Sequence, residues 1–272
     1  MAITTQDGLT SAMANSATKR IFFPSATNVA SGIVNLNQIA SGSFGTMATP
    51  AAASAGGTTY NQSTQSAGFP KWTAVPGTQA YFGAVTGITG ANAGTLSCYD
   101  VCWACSGLVG NVTTAQTITG FSGLPAREPT GDGLEIWIGC SSAIGATAHN
   151  VTVTYTNSTG VAGRVTQSTA GIVSMPVGRM YQLPLQSGDS GVQSIQSIQL
   201  SASSGTAGNL WVMIIERYWS AGIPLGGVAA EPMDFFDLGG RRTSDEACLL
   251  FANMATTTTT GLIMGDMAII HG

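Results

Sequence analysis

The chain has 272 residues, of which only 8% are charged, and its formal net charge is −4 at pH 7. Ordinary soluble domains carry about 25% charged residues. The scarcity of Lys and Arg argues against a nucleic-acid partner, because phosphate binding needs clustered basic side chains. The longest apolar run, residues 210–215, is far shorter than the roughly 18 residues of a membrane-spanning helix, so no membrane partner is expected.

The distribution of charge is uneven along the chain. Between Ile21 and Ala126 the only charged side chains are Lys71 and Asp100. A surface of small hydroxyl residues and glycines resists self-association poorly, because net charge and lysines normally provide that resistance. We therefore predict that much of this surface is covered by further copies of the chain or by a neighbouring protein.

Residues 1–20 are predicted to form an N-terminal arm. Leu9, Met13 and Ala17 have helical spacing, which predicts one short helix. The arm has few other apolar residues, so we expect it to lack core contacts and to be mobile in the isolated protein. Its first residues lack the basic and apolar segments of a secretory leader, so we expect synthesis in a cytosol.

The body of the chain is predicted to be all-β. Residues 25–94 are low in complexity, and long surface loops are expected at 46–57 and 58–68, of the kind that reaches a partner. Alternating or β-branched segments predict the strands. These are residues 32–36, 71–75, 79–85, 98–105, 115–119, 134–140, 151–156, 163–166, 180–185, 192–201, 209–215, 247–251 and 262–270.

Short strands at this spacing, separated by Gly, Ser and Thr turns, are typical of a β-sandwich or jelly-roll-like fold. We predict a single domain over residues 21–272. A candidate sub-boundary lies near residues 126–133, where a Gly-Asp-Gly turn precedes a strong strand pattern.

The five cysteines do not form a disulfide framework, because their number is odd and their spacing irregular. Cys98, Cys102 and Cys105 resemble half of a zinc knuckle, but structural zinc needs four ligands in paired groups. The other Cys and His residues form no second pair; they are Cys140, Cys248, His149 and His271. Buried, inert thiols are therefore predicted, with a metal site as the alternative.

The segment Gly188-Asp189-Ser190-Gly191 resembles the nucleophile turn of chymotrypsin-like serine proteases, with His149 in a position like that of their histidine. That mechanism needs a buried carboxylate to orient the imidazole. No Asp or Glu lies between His149 and Asp189. We predict instead a tight turn in which Asp189 bonds its own backbone, and no catalytic residue.

Two further groups of residues could form a binding site. An acidic run surrounds a basic pair and comprises Glu231, Asp234, Asp237, Arg241, Arg242, Asp245 and Glu246. It lacks the alternating oxygen ligands of a calcium loop, so a solvated loop or an ionic contact between subunits is predicted. The five tryptophans could line a carbohydrate site, but Trp137 and Trp211 lie in apolar strands, which favours core packing.

Two segments, GATAHNVTVTYTN at 145–157 and GRMYQLPLQSGDSGV at 178–192, resemble a family of tailed-bacteriophage virion proteins. The likeness extends to residues 113–117, 160–164, 193–208 and 245–249, and so covers residues 95–272. These motifs are turns and strands rather than catalytic signatures. The resemblance implies a component of the virion, made in the cytoplasm of the host bacterium.

The expectation that follows is a capsid decoration, or cement, protein. It would form a homo-oligomer, a trimer, and bind the major capsid protein through many modest contacts. The alternatives are a tail or neck structural protein and a virion protein that binds a host glycan or receptor through exposed Trp and Tyr. No enzymatic activity, cofactor or metal is expected.

Overall fold

A computed structural model of the chain describes residues 3–14, 19–22, 26–27, 32–39, 46–65, 67–90, 92–168, 171–224, 226–256 and 262–272. The helices are α1 (Gln6–Ala14) and α2 (Leu36–Ile39), with a 3-10 turn at Ala53–Ala55. The strands are β1 (Lys19–Phe22), β2 (Ala26–Thr27), β3 (Gly32–Asn35), β4 (Thr58–Thr59), β5 (Ala80–Gly90), β6 (Gly94–Leu108), β7 (Gln116–Thr117), β8 (Glu135–Ser142), β9 (Val151–Asn157), β10 (Arg164–Val165), β11 (Arg179–Leu183), β12 (Val192–Leu200), β13 (Asn209–Ile223), β14 (Met233–Asp234), β15 (Arg242–Thr243), β16 (Leu249–Ala255) and β17 (Leu262–His271).

The all-β prediction, a β-sandwich or jelly-roll-like chain with one helix in its N-terminal arm, is confirmed. The strands pair antiparallel, as in β1–β17 and β9–β12. No helix among the described residues is long and apolar enough to cross a bilayer.

The chain divides into two compact units, each built from separate stretches of sequence. Unit 1 comprises Met1–Met47, Gln65–Cys98 and Tyr218–Gly272, and unit 2 comprises Ala48–Thr64 and Tyr99–Arg217. The division falls within the long strands β6 and β13, while residues 126–133 lie inside unit 2. The predicted single domain over 21–272 and its sub-boundary stay predictions.

Unit 1 is organised around the pairing of β5 with β17. Strands β1 and β2 add to β17, while β14 and β15 add to β5. Because side chains alternate along a strand, this sheet has two apolar faces. Phe82 and Ile269 join a large buried cluster, whereas Tyr81 and Ile270 point to a smaller one that α1 covers.

Unit 2 contains a sheet in the order β10-β9-β12-β7 and a second group in which β8 pairs with both β11 and β13. In β9, Val151, Val153 and Tyr155 are buried and the intervening threonines are half-buried. This is the outcome that the Val/Thr alternation predicts. The predicted hairpin is also confirmed, since β10 pairs back onto β9.

The helix of the arm is confirmed, and only one of the two described residues whose spacing predicted it, Leu9, is buried. Leu9 and Ala12 pack against Tyr81 and Ile270, whereas Met13 is 48% exposed. Ala17 lies outside the described residues. The arm therefore has core contacts, contrary to the expectation, because β5 and β17 leave an apolar face for it; its mobility in the isolated protein stays a prediction.

The predicted surface loops at 46–57 and 58–68 are wrong in part, because Met47, Ala53 and Tyr60 are buried. In unit 2, the Tyr60 backbone N–H donates to the Cys102 carbonyl at 3.0 Å, which ties the second loop to β6. The strand predicted at 71–75 is also wrong. That segment lies between two prolines, which cannot donate to a strand ladder, and it is irregular.

Candidate functional site

The Gly188–Gly191 turn of unit 2 is centred on the side chain of Asp189, which is only 3% exposed. Its Oδ2 accepts hydrogen bonds from the Tyr155 hydroxyl at 2.5 Å and from Arg164 Nε at 2.9 Å. Its Oδ1 accepts one from Asn157 Nδ2 at 2.8 Å. The prediction that Asp189 bonds its own backbone is therefore wrong: the carboxylate connects its turn to the β9–β10 hairpin.

This network sets the protonation of its members. The hydrogen bond from Arg164, assisted by those from Tyr155 and Asn157, lowers the pKa of Asp189 to about 2. Burial, together with the hydrogen bond to Asp189, raises the pKa of Tyr155 to about 12. The Tyr155 hydroxyl also accepts the Gln186 backbone N–H at 2.8 Å. Asp189 is thus an ionised structural anchor over the ordinary pH range.

The protease-like motif does not assemble a triad. Ser190 Oγ donates to Asp132 Oδ1 at 2.7 Å, and His149 Nδ1 donates to the Thr147 carbonyl at 2.9 Å. The Asp189 carboxylate is bound to Arg164 rather than to an imidazole. Ser190 and His149, the residues that resemble the nucleophile and the base, therefore each have another hydrogen-bond partner. The expectation that the chain is not an enzyme stays a prediction.

The prediction that the cysteines are buried is confirmed for all five, and none of the five forms a disulfide bond. Burial raises the pKa of both Cys105 and Cys140 to about 12. Cys140 Sγ also donates to the Met175 carbonyl at 3.1 Å. Among the described residues, no three Cys, His, Asp or Glu side chains converge on a position that could hold a metal ion.

The acidic run of unit 1 separates into two local arrangements. Asp234 and Asp237 close a turn by accepting backbone N–H groups, which is the solvated-loop behaviour predicted for them. Asp245 behaves differently: its Oδ1 accepts hydrogen bonds from Trp72 Nε1 at 2.9 Å and His271 Nε2 at 2.8 Å. Sequence spacing could not separate these roles, since both Trp72 and His271 are distant in the chain.

All five tryptophans are buried. Core packing is therefore confirmed for Trp137 and Trp211, each 1% exposed. Trp137 also contacts Tyr99 edge-on, with ring centroids 5.4 Å apart. A carbohydrate site needs exposed aromatic faces, so the tryptophans do not support the glycan-binding alternative.

Sequence reasoning missed a buried ion pair in unit 2. Asp100 is fully buried, and Arg127 binds it through Nε to Oδ2 at 2.6 Å and through Nη2 to Oδ1 at 2.9 Å. The available signal was a lone Asp within an otherwise uncharged segment. A buried carboxylate needs a partner, and the next basic residue in sequence after Asp100 is Arg127.

The exposed large apolar side chains provide the remaining candidate site. Phe236 of unit 1 stands out because 69% of it is exposed. It borders a cleft of about 400 Å³, here called the Phe236 cleft. The cleft is lined by Ile3, Thr4, Thr5, Gln6, Leu9, Phe235 and Phe236. An exposed aromatic ring beside an apolar cleft is an arrangement suited to binding a protein surface.

No known protein family and no curated protein matches the chain. Similar solved structures include those of infectious bursal disease virus. Its T13 viral particle aligns at 10% identity and a TM-score of 0.17, over 94% of this chain and 39% of that chain. The Gx strain aligns at 12% identity and a TM-score of 0.19, over 93% and 79% of the two chains. The VP2 subviral particle aligns at 11% identity and a TM-score of 0.18, over 94% of this chain and 81% of that chain. At such TM-scores the likeness carries no argument about fold or function.

Proposed function

We propose that this chain is a structural protein of a virus particle, and specifically a decoration protein on the head of a tailed phage. The observation that carries the proposal is the placement of its reactive side chains. Asp189, Ser190 and His149 are engaged in fixed hydrogen bonds, and every thiol and indole is buried. The exposed surface includes large apolar side chains such as Phe236, 69% exposed, which an adhesive contact would bury.

The mechanism is the burial of apolar surface against other copies and against the major capsid protein. Each square ångström of apolar surface removed from water contributes roughly 25 cal/mol, and a standard protein interface buries about 1,600 Å² in total. A surface with few charges loses little solvation energy when it is covered. Symmetric closure, as in the predicted trimer, would cover apolar side chains that are exposed in a single copy.

Purified particles test this proposal directly. Quantitative mass spectrometry should find the chain in the particle at hundreds of copies, which is the number expected on a shell. Particles stripped of the chain should rebind it, and a reconstruction of rebound minus stripped particles should show added density on the outer surface. Six or twelve copies would instead assign it to the neck or tail, and absence from the particle would refute the proposal.

A further inference from the structure

The helix α1 is docked on unit 1 through a small apolar contact. Leu9 and Ala12 are the buried residues of α1, and they pack with Tyr81 and Ile270. Phe235 packs against the same cluster. The face formed by Tyr81, Ile270 and Phe235 is here called the α1 seat. Because α1 occupies this seat, the segment that fits the apolar face is already known.

The helix depends on its seat for stability. It has nine residues, whereas an isolated helix needs about 12–15 residues to be even marginally stable in water. Thr5 caps the first turn by accepting the Gly8 backbone N–H at 3.0 Å, but a glycine within a helix lowers its stability. When α1 leaves one seat, it therefore unfolds unless it docks on another.

The segment that carries α1 leaves the sheet of unit 1 at an outer strand. β1 pairs with β17 and ends the strand order of that sheet on one side. Residues 15–18 separate α1 from β1, and four extended residues span at most roughly 14 Å. An arm of this length reaches the seat of another copy only when that copy lies directly beside it.

A second copy offers α1 the same contacts as its own chain does. Moving α1 from its own seat to a neighbouring one replaces each apolar contact with an equal one. In dilute solution the covalent link favours the chain's own seat, because it holds α1 there at a high effective concentration. Copies fixed side by side supply a comparable concentration, so exchange then becomes competitive.

We propose that α1 is exchanged between copies packed side by side, as on the particle, so that the α1 of one copy occupies the α1 seat of the next. The inference rests on the proposed function, which brings the copies together, and it names the segment that links them. In the free chain α1 lies on its own seat. Each exchanged arm becomes a link between two copies.

A disulfide trap identifies which copy's α1 occupies a seat. A Cβ at Gly272 would lie 3.6 Å from the Cβ of Ala12, which is within the range that a disulfide requires. The five native cysteines are buried, so they should not compete for the oxidant. All trap variants also carry Ile3→Ala, because the Ile3 side chain lies closest to the new Cβ.

Two versions of the trap separate the chain's own α1 from that of a neighbour. The double variant Ala12→Cys with Gly272→Cys should form an intramolecular disulfide in dilute solution, detected by peptide mass spectrometry. An equimolar mixture of the two single variants forms the 12–272 disulfide only between copies. When stripped particles rebind this mixture, the intermolecular product should rise at least about tenfold over that of the free mixture at low micromolar concentration.

Leu9→Ser and Met13→Ser provide a matched pair on the same helix. Leu9 is 8% exposed in the seat, whereas Met13 is 48% exposed. Added to the Ala12→Cys component of the mixture, Leu9→Ser should lower the intermolecular product at least about tenfold, because a central apolar anchor is lost. Met13→Ser should leave the product unchanged. Equal effects of the two substitutions would overturn the proposal, because the disulfide would then not report the docking of α1.

The remaining outcomes separate this inference from the proposed function. If the mixture binds particles without a rise in the intermolecular product, arm exchange fails and the proposed function stands. If the chain does not bind particles, the proposed function fails, and the free mixture at about 1 mM tests exchange alone. The intermolecular disulfide formed there would support exchange, and its absence would overturn it.

The double variant excludes two other positions of α1. If its intramolecular disulfide is lost on particles and no intermolecular one replaces it, α1 binds the shell and arm exchange is overturned. If the disulfide does not form even in dilute solution, α1 does not occupy the seat, which overturns the proposal as well.

Discussion

Replacing Arg127 with Met should be among the most destabilising single changes in unit 2. Asp100 is 0% exposed and the Arg127 side chain is 8% exposed, so water does not replace the guanidinium freely. Arg127→Met leaves the carboxylate buried without its cation. Removing one partner of a buried pair costs about 3–5 kcal/mol of folding free energy.

Three further acceptors place the expected loss at the upper end of that range. Arg127 Nη1 donates to the Tyr60 carbonyl and to Asn61 Oδ1, both at 2.9 Å, and Nη2 donates to the Val101 carbonyl at 3.1 Å. Each hydrogen bond lost from the guanidinium removes about 1 kcal/mol of stability. The guanidinium thus joins β6 to the segment that contains Tyr60.

Urea denaturation followed by circular dichroism measures this loss. Arg217→Met is the control, because Arg217 is 44% exposed and its 3.1 Å pair with Glu135 should contribute at most about 1 kcal/mol. Asp100→Leu combined with Arg127→Met should recover most of the stability, since neither charge is then stranded. A loss below about 1 kcal/mol for Arg127→Met would refute the reasoning, because the pair would then have to be hydrated.

Three further outcomes are expected. Asp189 contributes stability that is present above the unfolded-state pKa of about 4 and is lost as the pH falls toward its folded pKa of about 2. Asp189→Asn should therefore flatten the dependence of Tm on pH in that window, and an unchanged slope would contradict the network. The five buried thiols should resist a thiol-specific reagent in the folded protein and react after denaturation; prompt labelling of folded protein would show that they are accessible. Gly131→Ala should lower Tm more than Gly133→Ala. Both glycines have a left-handed φ, which should cost the Gly133→Ala variant about 1–2 kcal/mol of stability, but only at position 131 would the added Cβ lie 2.0 Å from the Val192 carbonyl oxygen. Equal shifts in Tm for the two variants would mean that the turn relaxes.

The local pattern of the sequence was sufficient to predict longer strands such as β9 and β12. It did not predict the two-residue strands β4, β14 and β15, and the strand predicted at 71–75 does not form. The alternation of Val and Thr in β9 determines which side of the strand is buried, and a one-residue shift would expose its whole apolar set. The side of α1 that is buried could not be predicted in this way. It depends on where Tyr81 and Ile270 leave an apolar surface, and both residues are far from α1 in the chain.

The networks of unit 2 could be predicted only in part, for a related reason. Asp189 accepts hydrogen bonds from Arg164 and Tyr155, which lie 25 and 34 residues away in the chain. Asp100 accepts one from Arg127, which lies 27 residues away. A turn motif contains no information about donors on other strands. The sequence shows that a buried carboxylate needs a cation, but the pairing of strands decides which one is within reach.

These networks also reduce the number of charged side chains that reach the surface. Asp100 and Arg127 are buried, and Asp189 is almost completely covered with Arg164 against it. Charges used in the interior give the surface no repulsion between copies, so the surface is poorer in charge than the 8% in the sequence implies. Electrostatic repulsion between copies of a protein usually opposes contact between exposed apolar side chains such as Phe236. If copies of this chain associate as proposed, apolar burial rather than ion pairing stabilises the contact, and we expect salt to weaken the association little. A steep loss of association with added salt would contradict that mechanism.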